Sequence, residues 1–227
     1  MELWYLLAEL GNTKGLEYKL KEGEDVNKLD GEQLSALHHA VRLNQSEAAT
    51  LLLQHQAVVD IRGPDHRTPL HYAARCRTKL RESNSETELV VDLESGMQVE
   101  QFQDKEDGSV GKVEVSSMVE LLTSYGAEVN ASDKYGQTPL HFAAMTGNIG
   151  AAAVLVKDCG ACVEIEDNQQ MTPLIVASTY GYLDMVQLFL KAKANPRHVD
   201  SSKQTALHRA ARGGHLVAST LRRTIYS

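Results

Sequence analysis

Aromatic residues make up only 5% of this 227-residue chain, with a single Trp and three Phe, so a core built on large rings is excluded at the outset. Cysteine is scarce too. Cys76, Cys159 and Cys162 are odd in number and irregular in spacing, which gives no disulfide framework and fits a reducing compartment. In such a compartment the sequons at Asn44 and Asn130 carry no glycosylation signal. No run of about 18 apolar residues exists, so no membrane-spanning helix and no direct membrane insertion are expected. The N-terminal MELWYLLAELGN holds Glu2 and Glu9 and no basic segment, unlike a secretory leader. Basic residues are outnumbered: 23 Lys and Arg against 30 Asp and Glu give a net charge of −7, which argues against a nucleic-acid partner.

Catalytic signatures are missing as well. The chain has no G-x-x-x-x-G-K-[ST], no G-x-S-x-G and no H-E-x-x-H, so no catalytic residue, cofactor or metal is expected. DKEDGSVGKVEV, 104–115, has acids before a glycine, but with Gly108 at the sixth position of a calcium loop, Gln103 and Lys105 fall where acids are needed. CGAC, Cys159 to Cys162, has redox spacing, yet its first Cys ends a helical pattern, where the helix dipole disfavours a thiolate. A zinc site would need a second pair, and Cys76 is alone.

What is present is repetition. SALHHAVRLN, TPLHYAARCR, TPLHFAAMTG, TPLIVASTYG and TALHRAARGG begin at Ser35, Thr68, Thr138, Thr172 and Thr205, in steps of 33, 70, 34 and 33 residues. A period near 33 with fixed punctuation marks a repeat architecture. Each unit reads as two helices. Pro after Thr suits a first helical position, Ala143 and Ala144 keep one face thin, and Gly147 and Gly181 stop the first helix. A second, Leu- and Val-rich helix follows, and segments such as GAEVNASDKYGQ supply turn residues for a hairpin. One helix pair cannot bury its apolar stripe alone; stacked pairs can.

The phrase T-P-L-H-x-A-A…G-A-x-V-N resembles the ankyrin repeat, and the resemblance covers most of the chain. It implies an all-α repeat solenoid of stacked helix–turn–helix units with short β-hairpin loops. In this frame 2–29 is a degenerate N-terminal repeat, and 30–62, 63–131, 132–165 and 166–198 are repeats. Residues 199–227 form a last unit that reads either as a polar cap or as a truncated repeat. The third unit is interrupted between its two helices by 78–114, which holds ten acids and four bases and so carries −6 of the chain's −7. SMVE, Ser117 to Glu120, reads as a capping box restarting the second helix. The interruption reads either as a passive solvated loop or, around 88–102, as a short motif that folds on contact.

His38, His71, His141 and His208 recur at the fourth position of the phrase. Ile175 interrupts the row, so the histidines are expected to bond backbone between neighbouring repeats rather than form a ligand ladder. The resemblance also implies a concave face made by the hairpins and the free positions of each first helix. Offsets from the repeat Thr expose one apolar-aromatic cluster there, Tyr135, Met145, Met171 and Tyr180, with Arg75, Lys134 and Gln169 beside it as candidate partner-binding residues. Leu122, Glu128 and Asn130 meet the pattern of an asparaginyl hydroxylase substrate in such repeats, which makes Asn130 a candidate modification site; the alternative is an Asn that simply suits its turn.

The expected function is a monomeric, non-catalytic scaffold or adaptor that binds another protein, in the cytoplasm or nucleus. A second expectation is the cytosolic ankyrin region, or a truncated form, of a larger membrane protein such as a TRPA-like ion channel. A third, an enzyme carrying the repeats as an accessory, needs a catalytic domain outside these residues.

Overall fold

Pro69, Pro139 and Pro173 each open a helix at a position where the missing N–H costs no hydrogen bond, and that choice repeats along the molecule. The computed structural model describes residues 2–75 and 118–226. Among them are twelve α-helices in antiparallel pairs: α1 (Leu3–Glu9) and α2 (Thr13–Lys21), α3 (Ala36–Arg42) and α4 (Ser46–Gln54), α5 (Pro69–Arg75) and α6 (Met118–Ser124), α7 (Pro139–Thr146) and α8 (Ile149–Lys157), α9 (Pro173–Tyr180) and α10 (Leu183–Lys191), α11 (Ala206–Arg212) and α12 (Val217–Tyr226). The interruption 78–114 and the Ser117 end of the capping box lie outside the described residues.

The first helices of the pairs form an inner row in which α1, α3, α5, α7, α9 and α11 pack in sequence; α2, α4, α6, α8 and α10 form an outer row. Small residues make the close approach of the inner row feasible. Ala40, Ala74, Ala143, Ala144, Ala177 and Ala210 are fully or almost fully buried between neighbours. Leu37, Leu70, Leu140 and Leu174 fill the same register one repeat apart, and one apolar core runs from Trp4 to Leu221. Gly147 and Gly181 end α7 and α9 in the left-handed region, at φ +69° and +78°.

Four of the five loops before α3, α5, α7, α9 and α11 close by one rule, the exception being the loop before α5, which has Gly63 at that place. Asp30, Asp133, Asp167 and Asp200 each stand five residues before the repeat Ser or Thr, and one carboxylate oxygen of each accepts from two loop amides at 2.8–2.9 Å. These side-chain bonds do much of what a strand ladder would do. Among the described residues, strand pairing consists of two single antiparallel bridges, Leu29 with Ser35 and Val199 with Thr205.

The recurring histidines lock repeat to repeat. The backbone N–H of Ser35, Thr68 and Thr138 donates to Nδ1 of His38, His71 and His141 at 3.1–3.2 Å. With Nδ1 accepting, the proton sits on Nε2, which donates to the carbonyls of Arg67, Gln137 and Met171 in the next repeat at 3.0–3.2 Å. Burial pushes His38 and His71 down to about 4 and His141 down as well, so the rings are neutral. His208 makes the same bond with Thr205, but its ring is exposed.

Candidate functional site

The inner helices and the loops before them present the surface on which the candidate binding residues were expected. The structure distributes those residues between its two edges. Lys134, Tyr135, Gln169 and Met171 belong to the loops, whereas Arg75, Met145 and Tyr180 stand at the C-terminal ends of inner helices. An eight-residue helix such as α7 or α9 separates these edges by about 12 Å of helix.

On the loop edge, Arg67 is the hub. Its Nε lies 3.3 Å from the buried carboxylate of Asp133, a second guanidinium nitrogen lies 3.3 Å from Asp65, and its face covers the Phe142 ring at 5.1 Å. Asp65 also pairs with Lys134, which holds the Asp65 carboxyl below its ordinary range and the Lys134 amine above its own. The Lys134 N–H donates to the Asp65 carbonyl at 2.8 Å, so two consecutive loops are joined by backbone as well as by charge. Tyr135 closes this cluster, with Lys134 Nζ 4.8 Å from its ring centroid and the Arg67 guanidinium at 6.0 Å, and remains 46% exposed. Gln169 is exposed, and its carbonyl accepts from Ser201 N–H at 2.9 Å. Met171 is half-buried against the core and lends its carbonyl to His141.

On the other edge, Tyr180 is 50% exposed and stacks on Tyr182, with ring centroids 6.2 Å apart and planes 21° from parallel. Met145 is half-buried beside the core, and Arg75 is exposed at the end of α5. Tyr182 was not singled out from the sequence. The signal was there: the corresponding positions of the other repeats hold Asn12, Gln45, Asn148 and His215, and only Tyr182 is aromatic without nitrogen.

Asn130 serves a third ladder. Its Oδ1 accepts from Cys162 N–H at 3.0 Å, as Asn27 accepts from Val58 at 2.8 Å, Asp60 from Glu128 at 3.0 Å and Glu164 from Asn195 at 2.8 Å. Cys159 is half-buried with Sγ 3.6 Å from the Thr123 hydroxyl, Cys162 is exposed, and Cys76 lies outside the described residues. Among the described residues no group of three or more His, Cys, Asp and Glu side chains is placed to hold a metal, and no helix is long and apolar enough to cross a membrane.

One charged cluster went unnoticed in the sequence. His39, 1% exposed, lies between Glu9 (Nδ1 to Oε1, 2.9 Å) and Asp30 (Nε2 to Oδ2, 2.7 Å), and Arg42 reaches the same Glu9 oxygen at 2.6 Å. Each ring nitrogen of His39 thus faces a carboxylate oxygen at hydrogen-bond distance. The cluster joins α1 to α3 and to the loop before α3; the His39 hydrogen bond holds the Glu9 carboxyl below its ordinary range, and against burial the Leu34 amide and His39 do the same for Asp30.

Comparison with known proteins matches the family model "Ankyrin repeats (3 copies)" to residues 4–84, 111–200 and 163–223. Human neurogenic locus notch homolog protein 1 is 33% identical over 156 residues, 66% of this chain and 6% of that protein. Ankyrin repeat protein nuc-2 of Neurospora crassa is 31% identical over 218 residues, 92% of this chain and 19% of its own length. Human transient receptor potential cation channel subfamily A member 1 is 29% identical over 208 residues, 88% of this chain and 18% of the channel. The chain thus spans a fifth or less of each of these relatives.

Proposed function

The chain belongs to the ankyrin-repeat family, whose repeats are protein-interaction modules, and from that premise we propose that it is a non-catalytic scaffold or adaptor whose concave face takes another protein. The observation that carries the reading is the pair of exposed tyrosines on that face, Tyr135 and Tyr180, each held in place by its neighbours. Rigid aromatic side chains contribute contact area at low entropic cost. In this reading the protein acts as a monomer in the cytoplasm or nucleus, and the acidic segment 78–114 modulates binding.

Affinity capture from cell lysate with mass spectrometry tests it. Tyr135→Ala combined with Tyr180→Ala is expected to abolish capture while leaving the thermal transition almost unmoved; undiminished capture refutes the concave-face site. Deletion of 78–114 is expected to change the affinity for the captured partner, and unchanged affinity makes that segment passive.

A second reading is favoured by the match to the cation channel across 88% of this chain: the repeats are the ankyrin region of a larger membrane protein. Full-length transcript sequencing distinguishes the two, since this reading requires membrane spans encoded in the same message. Asn130 as a hydroxylation site is a further proposal, supported by Leu122 and Glu128 in their required places. Incubation with an asparaginyl hydroxylase should add the mass of one oxygen atom to the peptide containing Asn130, and its absence removes the proposal.

A further inference from the structure

The edge made by the C-terminal ends of the inner helices is irregular at one junction. At three others a polar side chain at the start of the outer helix reaches a carbonyl at the end of the preceding inner helix. Gln45 Nε2 donates to Glu9 (2.8 Å), Asn148 Nδ2 to Ala74 (3.1 Å) and His215 Nε2 to Thr179 (3.0 Å). Tyr182 holds that position between α9 and α10; its ring lies on Gly147, 2.8 Å from where a Cβ would stand, as Gln45 lies on Gly11 and His215 on Gly181, but it makes no such hydrogen bond to a described residue. The polar tie is replaced there by an aromatic pair, Tyr180 on Tyr182, whose outer ring is half exposed.

Charge is distributed around that pair in a defined order. Arg75 ends α5 and Arg212 ends α11; both are exposed, and neither forms an ion pair with a described residue. Between them come Met145 near the end of α7 and the tyrosine pair at the end of α9. The acid at the end of an inner helix, Glu9, is already engaged by His39 and Arg42. From α5 to α11 the edge therefore reads cation, thioether, aromatic pair, cation. Packed helices stand about 8–10 Å apart, so the three steps cover roughly 27 Å, the length of about eight extended residues.

We infer that this edge holds an extended peptide of about eight residues with acidic side chains at both ends and apolar ones between. The inference rests on the concave-face reading above and names the partner's chemistry. A carboxylate meets each guanidinium in two parallel hydrogen bonds, and the central side chains lie across Met145 and the tyrosine rings. Exposed Arg residues set orientation and encounter rate more than affinity, so the aromatic pair supplies most of the hold and the arginines supply the choice of ligand.

Two fluorescein-labelled octapeptides test this, each with Leu and Phe at the centre, one flanked by Glu pairs and one by Lys pairs, titrated with the full chain and read by anisotropy. The acidic peptide should bind roughly tenfold more tightly than the basic one, and its affinity should fall as salt rises. Arg75→Glu with Arg212→Glu should reverse the preference, and Tyr180→Ala with Tyr182→Ala should weaken the acidic peptide roughly tenfold at a temperature where circular dichroism shows the variant fully folded. Equal binding of the two peptides, or a preference unmoved by the charge reversal, overturns the inference. Cellular capture lost with the tyrosine substitutions but intact with the arginine reversals also overturns the acidic ligand while leaving the concave-face site standing. Capture indifferent to the tyrosines removes that site and the inference with it.

Discussion

Thr172 stands three residues before Ile175, and its buried hydroxyl has no hydrogen-bond partner. In the repeats beginning at Ser35, Thr68, Thr138 and Thr205 the same hydroxyl lies 2.8–2.9 Å from a histidine Nδ1. The isoleucine removes that partner and, with it, the donor that would cross to the carbonyl of Gln204. Ile175→His should therefore stabilise the protein by about 1 kcal/mol, because it satisfies a buried hydroxyl and adds an inter-repeat bond. Thr172→Val should be close to neutral, whereas Thr138→Val, which strips a used hydroxyl, should cost about 1–3 kcal/mol. Urea denaturation of the three variants checks the order.

Stability should fall with acid sooner than carboxylates alone would make it. His38 and His71 titrate near 4 when folded and near 6.5 when unfolded. Between those values the unfolded chain binds more protons, so the stability these rings contribute is complete above pH 6.5 and lost as pH falls toward 4. The melting temperature should be flat from pH 8 to 7 and fall steadily from 6.5 to 4. His38→Gln with His71→Gln should lower the plateau and flatten that slope; an unchanged slope would show that the rings are not held neutral.

His39 gives the first repeat a separate point of failure. Replacing it with Leu leaves Glu9 and Asp30 facing an apolar side chain in place of a hydrogen-bond partner, which costs about 1–3 kcal/mol. Because Glu9 belongs to α1, the loss should fall first on the N-terminal pair of helices. Trp4, the single tryptophan, is 2% exposed within α1 and reports on that helix. In His39→Leu the tryptophan emission should shift to longer wavelength at a lower temperature than the loss of helical signal, while in the parent chain the two should coincide.

Much of this was legible in the sequence because repetition turns one physical solution into several readings of it. Pro after Thr, paired Ala, Gly at the helix end and His at the fourth position each recur, and Ile175 alone argued that the histidines serve backbone rather than a ligand. Residues that act by departing from the period were harder to see. Tyr182 lies over Gly147 as Gln45 and His215 lie over Gly11 and Gly181, and departs in lacking their polar tie; His39 sits where other repeats hold Tyr72, Phe142, Val176 and Arg209, so no pattern marked it. The site was legible by residue but not by grouping. Offsets in sequence placed Tyr135 and Tyr180 on one face, whereas only coordinates show them at opposite ends of the inner helices.

Gly147 and Tyr182 permit a last prediction that separates backbone strain from contact. Gly147 is at φ +69°, and any side chain there meets both an unfavourable backbone region and the Tyr182 ring at 2.8 Å. Gly147→Ala should thus cost the left-handed penalty of about 1–2 kcal/mol and, in addition, whatever is needed to move the ring. Tyr182→Ala alone removes the stacked partner of Tyr180. If the clash is real, the double variant should be more stable than the sum of the two single losses implies, with a coupling of about 1 kcal/mol, since the alanine at 147 then has nothing to displace. Additive losses would show that Tyr182 can leave Gly147 freely, and the aromatic pair would then be a mobile surface feature rather than a fixed platform.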